Sequence, residues 1–190
     1  MIGTHDSFTF LKSNWFNECF SFLWRTQNLN IEEQREKGVK YFDVRVRRTR
    51  SLKYDFPGWV LCHGYVNFDW YFLTLETLLE HLPEGTHARI ILERGNAEDE
   101  ALFKLEVREL TEKENPKFDA AIIKKGWRVL KPSYFKFKDY TYIPWHSGES
   151  LIYNIKNFKF STIKKWAKKH NPIFNIGHKG SKVIHFVDFI

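Results

Sequence analysis

Apolar residues along the chain alternate between short continuous runs and longer stretches at helical spacing. The short runs predict strands over residues 40–48, 59–66, 88–93, 127–130, 150–155, 173–176 and 182–190, and residues 1–4 can end one more. The longer stretches predict helices over 30–37, 74–82, 98–114, 120–125 and 162–170. Thr74 is a candidate N-cap with Glu76 in the first turn. Position 77 is threonine, so a full capping box is not expected there. Gly38, Gly85, Gly126 and Asn171-Pro172 close helices. Residues 132–148 are aromatic and polar without a clear period, which predicts a long loop over one face.

Strands that alternate with helices predict an α/β fold, and this number of strands suggests a TIM-like α/β barrel. That fold typically takes about 250 residues, so a chain of 190 predicts an irregular, shortened version in one domain covering 1–190. A doubly wound sheet is the alternative. No glycine-rich loop follows the first strand, which counts against a nucleotide-binding form.

Composition adds limits. Aromatic residues make up 17% of the chain, enough for a sizeable core. No apolar run approaches the roughly 18 residues of a membrane span. No signal peptide is visible, so a cytoplasmic location is the default expectation, with secretion if a leader has been removed. Cys19 and Cys62 read as two thiols rather than a disulfide. The 30 Lys and Arg outnumber the 23 Asp and Glu, a net charge of +7 that favours anionic partners. Nucleic acid would be one such partner, but no motif of the known readers accompanies the charge, and none is expected to bind.

The polar residues that interrupt the apolar strands are the most informative. They are Gly3-Thr4-His5-Asp6-Ser7, Tyr41-Phe42-Asp43-Val44-Arg45, Leu61-Cys62-His63-Gly64, Leu92-Glu93-Arg94 and Val187-Asp188. Strand periodicity puts Asp43 and Arg45 on one side. Each residue alone has a structural explanation. Five strands carrying ionisable groups in or just after them are harder to explain that way, because unpaired buried charge is costly. Two histidines, several carboxylates and an arginine suit phosphodiester cleavage by an internal hydroxyl. Histidine can act as base or acid near neutrality, a carboxylate can orient it, and an arginine can carry phosphate charge.

These motifs, in this order and spacing, resemble the catalytic X region of bacterial-type phosphatidylinositol-specific phospholipases C. The resemblance is strongest over residues 2–82, plausible to Arg94, and returns in the last strand. It implies a distorted α/β barrel. It implies His5 as general base, paired with Asp188, and His63 as general acid, assisted by Asp6. It further implies Arg45 as the phosphate-binding cation with Asp43 beside it. Glu93 and Arg94 are candidates for substrate contact, as are Arg128, Lys131 and Lys156. No cofactor is expected, since a guanidinium can stand in for a divalent cation. Glu93 nevertheless stands where bacterial relatives usually carry lysine. Calcium takes about six to eight oxygens, and Asp6, Asp43 and Glu93 are the alternative ligands for it. The expected partner is a phospholipid at a membrane surface, met transiently by a peripheral monomer. Some of Trp15, Trp24, Trp59, Trp70 and Trp145 are candidates for that interface, others for the core. Two other readings remain open. One is a phosphodiesterase acting on another glycerophosphodiester or a glycan-linked phosphodiester. The other is a non-catalytic headgroup-binding domain.

Overall fold

The computed structural model describes residues 2–4, 7–19, 21, 25–50, 56–113, 118–123, 141–144 and 183–187. The elements in chain order are β1 (Ile2–Thr4), α1 (Trp15–Cys19), α2 (Ile31–Glu36), β2 (Tyr41–Thr49), β3 (Gly58–His63), β4 (Val66–Phe72), α3 (Leu75–Glu80), β5 (His87–Glu93), α4 (Ala97–Glu112), β6 (Phe118–Ile123), β7 (Thr141–Pro144) and β8 (Val183–Val187). Six strands run parallel in the order β6-β5-β2-β1-β8-β7. The sheet curls as half of a barrel. Its first and last strands are neighbours, with Gly3 opposite Phe186 and Thr4 opposite Val187.

β2 is the longest strand and serves three partners. Its first half pairs with β1 on one side, and Tyr41–Val46 pair with β5 on the other. Beyond the end of β1 it turns to β3, which runs antiparallel from Val46↔Leu61 to Thr49↔Gly58. β3 returns through Gly64 and Tyr65 into β4. Gly64 has φ +60°, which fits the first central position of a two-residue hairpin turn, a site that favours glycine.

One sheet face is apolar and carries the helices. Phe42, Val44 and Val46 of β2, Ala88, Ile90 and Leu92 of β5, and Ala120 and Ile122 of β6 share a core with Leu75 and Leu78 of α3 and Phe103, Val107 and Leu110 of α4. Trp59 is fully buried there, edge-on to Phe103 at 5.8 Å. Its indole N–H donates to Glu106 of α4 at 3.0 Å, and Glu106 also accepts the Leu75 N–H at 2.8 Å. One carboxylate thus fastens α4 to β3 and satisfies an otherwise unpaired donor at the start of α3.

Four sequence expectations are corrected. Residues 59–66 form not one strand but most of β3, a tight turn and the start of β4. The helix expected over 120–125 is instead part of β6, because Ala120–Ile123 pair in parallel with Ile90–Glu93 and bury their alternate residues under α4. Inside the expected loop 132–148, residues 141–144 form β7 against β8. The α3 cap is a full box after all. Thr77 fills the place of the usual glutamate: its amide donates to Thr74 Oγ1 at 3.2 Å and its hydroxyl accepts the Thr74 N–H at 3.3 Å. The strands expected over 127–130, 150–155 and 173–176 and the helix over 162–170 lie outside the described residues. Cys19 and Cys62 are both free thiols, the first exposed and the second buried. Among the described residues no helix is long and apolar enough to cross a membrane.

Candidate active site

The face of the sheet away from the helices is polar. Alternation along β2 sends Phe42, Val44 and Val46 into the helical core, so Asp43, Arg45 and Arg47 fall on the opposite side. The same rule puts Ile91 and Glu93 of β5 there. Asp43, Arg45 and Glu93 are all buried, and Arg45 retains 9% exposure.

Arg45 is held between the two carboxylates. Its Nη2 donates to Asp43 Oδ2 at 3.4 Å, and its Nη1 lies 3.7 Å from Glu93 Oε1. The other oxygen of Glu93, Oε2, accepts the Gly64 N–H at 3.0 Å, with the Cys62 thiol 3.9 Å away. Glu93 therefore links the arginine of β2 to the turn that follows His63. His63 ends β3 and is half-buried. Arg47 reinforces the link. It donates to the carbonyl of Gly64, to Asn67 Oδ1 at 3.0 Å and to the carbonyl of Glu93 at 3.4 Å. Arg94 leaves this cluster, its guanidinium stacked over the Tyr65 ring at 3.3 Å.

His5, Asp6 and Asp188 lie outside the described residues, as do Arg128, Lys131 and Lys156. β1 leads into His5 and β8 into Asp188. Phe42, Thr4 and Val187 lie abreast in three neighbouring parallel strands, and the residues that follow them in sequence are Asp43, His5 and Asp188. Two residues beyond His5, Ser7 is firmly anchored. Its amide donates to the Asp43 carbonyl at 2.8 Å, and its hydroxyl donates to the Thr4 carbonyl at 2.8 Å. Its own carbonyl accepts from the Gln34 amide group at 2.8 Å. Thr4, Ser7 and Gln34 are fully buried.

Sequence reasoning singled out Asp43, Arg45, His63, Glu93 and Arg94, and the first four lie on or beside one cluster. It missed Ser7, Gln34, Arg47 and Tyr65 as residues that shape it. Ser7 stands in a motif already noted, and a serine just after a strand end is a usual turn former. Gln34 and Tyr65 carried no local signal. Among the described residues no group of three His, Cys, Asp or Glu side chains is arranged to hold a metal ion. The cation between Asp43 and Glu93 is the guanidinium of Arg45. Of the tryptophans, Trp59 belongs to the core, Trp70 is half-buried against Phe8 and Phe72, and Trp15 is 80% exposed on α1. Trp24 and Trp145 lie outside the described residues.

A curled, mostly parallel sheet with helices on its apolar face and a buried guanidinium on the other defines an α/β protein of barrel-like design with a charged inner face. No family model matches the chain, and no curated protein matches it in sequence. Its whole length superposes on the phosphatidylinositol-specific phospholipase C from Listeria monocytogenes, at 14% identity, 87% of that chain and a TM-score of 0.56. A pentafluoro-Phe form of the phosphatidylinositol-specific phospholipase C from Staphylococcus aureus matches over all of this chain and 85% of its own, at 13% identity and TM-score 0.56. A further S. aureus structure, concerned with membrane binding of the same enzyme, gives 15% identity and TM-score 0.54 over all of this chain and 85% of its own. At these identities the likeness is one of fold.

Proposed function

We propose that the chain is a distant, bacterial-type phosphatidylinositol-specific phospholipase C with a shortened, distorted α/β barrel, and that it cleaves a phosphatidylinositol-type lipid without a metal. One observation carries this reading. A buried arginine, flanked by Asp43, stands on β2 beside the strand ends that lead directly into His5 and Asp188. The fold likeness to three phospholipase C structures supports it.

In this mechanism His5 accepts the proton of the inositol 2-hydroxyl, and Asp188 orients the imidazole. The 2-oxygen attacks phosphorus and a cyclic phosphodiester forms. The bond from phosphorus to the diacylglycerol oxygen breaks, and His63, assisted by Asp6, donates a proton to that oxygen. Arg45 carries the charge that builds on the non-bridging phosphate oxygens, and Asp43 fixes its orientation. The protein acts as a monomer, docked transiently on the membrane surface.

The test is incubation of the purified protein with phosphatidylinositol vesicles in excess chelator, followed by phosphorus NMR. The expected result is early release of cyclic inositol phosphate, with the open monophosphate appearing later. Open monophosphate from the outset would mean direct attack by water. Activity restored only by calcium would transfer the role of Arg45 to an ion held by Asp6, Asp43 and Glu93.

A further inference from the structure

We infer that Tyr65 and Arg94 form a clamp that positions His63, making both positioning residues rather than substrate contacts. The inference rests on the phosphodiesterase reading for its catalytic consequence, but the clamp itself is a matter of geometry.

The turn after His63 is only two residues long, and other elements grip it from several sides. The Gly64 amide donates to Glu93 of β5, and the Gly64 carbonyl accepts from Arg47 of β2. Tyr65, the second turn residue, is 77% exposed and buries little surface of its own. Its ring nevertheless carries the Arg94 guanidinium at 3.3 Å. Arg94 pays for this contact in backbone conformation. It has φ +63°, the one non-glycine residue with positive φ among those described. A long side chain rarely adopts that region without a compensating contact. The twist lies directly after Glu93 and turns the Arg94 side chain away from the Arg45 cluster and onto the turn. Two consecutive residues at the end of β5 thus hold two consecutive residues of the hairpin, Glu93 on Gly64 and Arg94 on Tyr65. A general acid must meet its leaving oxygen within hydrogen-bond reach, and the strand end carrying His63 is fixed by this double grip.

The variants R94G, R94K, Y65A and Y65F separate the possibilities. Glycine accepts φ +63° without strain, so R94G removes the stacked cation while the backbone keeps its course. Tyr65 is exposed, so Y65A removes the ring without opening the core. Both variants are expected to melt within about 4 °C of the parent. In both, exchange of the Gly64 amide followed by NMR should quicken about two- to fivefold, the equivalent of an exposed cation–π contact. On phosphatidylinositol vesicles kcat should fall about tenfold or more while KM stays unchanged. Y65F should behave as the parent because the ring face remains. R94K should fall between, because an ammonium stacks less well than a planar guanidinium. Parent values of Gly64 exchange and kcat in both R94G and Y65A would overturn the clamp. A raised KM with unchanged kcat would overturn it in favour of substrate contact by Arg94. A parent protein inactive on the vesicles would defeat the proposed function alone, and the exchange rates would still decide the clamp.

Discussion

Arg45 and Glu93 meet on the diagonal of the β2–β5 pair. Register sets Arg45 opposite Ile91, yet its Nη1 lies 3.7 Å from the carboxylate two residues further along. Glu93 leans back toward the arginine with one oxygen and holds the Gly64 amide with the other. A carboxylate in this position is better suited to holding the site's parts together than to meeting a ligand.

Removing it should therefore loosen the fold. Glu93→Ala leaves the Gly64 N–H without its acceptor and Arg45 with one carboxylate fewer. A destabilisation of about 1–3 kcal/mol is expected, read as a lower urea midpoint with unchanged slope. Glu93→Gln keeps an oxygen for the Gly64 amide and should lose less. A parent-like midpoint for the alanine variant would show that Glu93 contributes no such support.

Arg45 has a different signature. Arg45→Ala should lower kcat on phosphatidylinositol vesicles by an amount equivalent to about 3–4 kcal/mol, the usual worth of one preorganised charge donor. Arg45→Lys should recover part of this, since lysine lacks the planar fork. Arg45→Asp should be nearly inactive in chelator and partly rescued by millimolar calcium, because it adds a third carboxylate beside Asp43 and Glu93. A fully active Arg45→Ala protein would remove the arginine from the mechanism.

The two histidines are expected to act on chemistry alone. His5→Ala and His63→Ala should each reduce turnover about 10²–10⁴-fold while circular dichroism and melting stay as in the parent. Near-parent turnover in either folded variant would withdraw its acid–base role.

Far from the cluster, Phe103 tests the helical face of the sheet. It is fully buried against Trp59. Phe103→Ala should cost about 3–5 kcal/mol of stability. Calorimetry would reveal this as a lowered melting temperature, and a loss below about 1 kcal/mol would mean that the core refills the space.

Much of this arrangement was legible in the sequence where the signal was local. Period two placed Asp43 and Arg45 on one face, and the short run Ile90–Leu92 marked β5 up to the charge at Glu93. Helical spacing over 98–114 marked α4, which the structure starts one residue earlier, at Ala97. Where pairing overrides local preference, reading failed. Residues 120–125 carry two alanines and a charged tail, which suits a helix, but Ala120–Ile123 pair with β5 instead. The β3–β4 turn escaped notice because Gly64-Tyr65 is a weak turn pair and the apolar residues Val60–Cys62 and Val66 lie on either side of it. Contacts such as Gln34 to Ser7 or Arg94 to Tyr65 join segments far apart in sequence, and no local pattern encodes them.

The pairing of β1 with β8 has a consequence for synthesis. Gly3 leaves the ribosome long before its strand neighbour Phe186, which lies 183 residues further along the chain. Until then β1 has, among the described strands, β2 alone to lean on, and closing so large a loop is entropically slow. The nascent chain can complete its helix-covered face early, around β2, β5 and α4, while the seam beside Thr4 stays open. A message truncated before β8 would yield a protein with a settled core and an unfinished seam. Such a product would pass a test of helical content and fail one of tertiary order near the N-terminus.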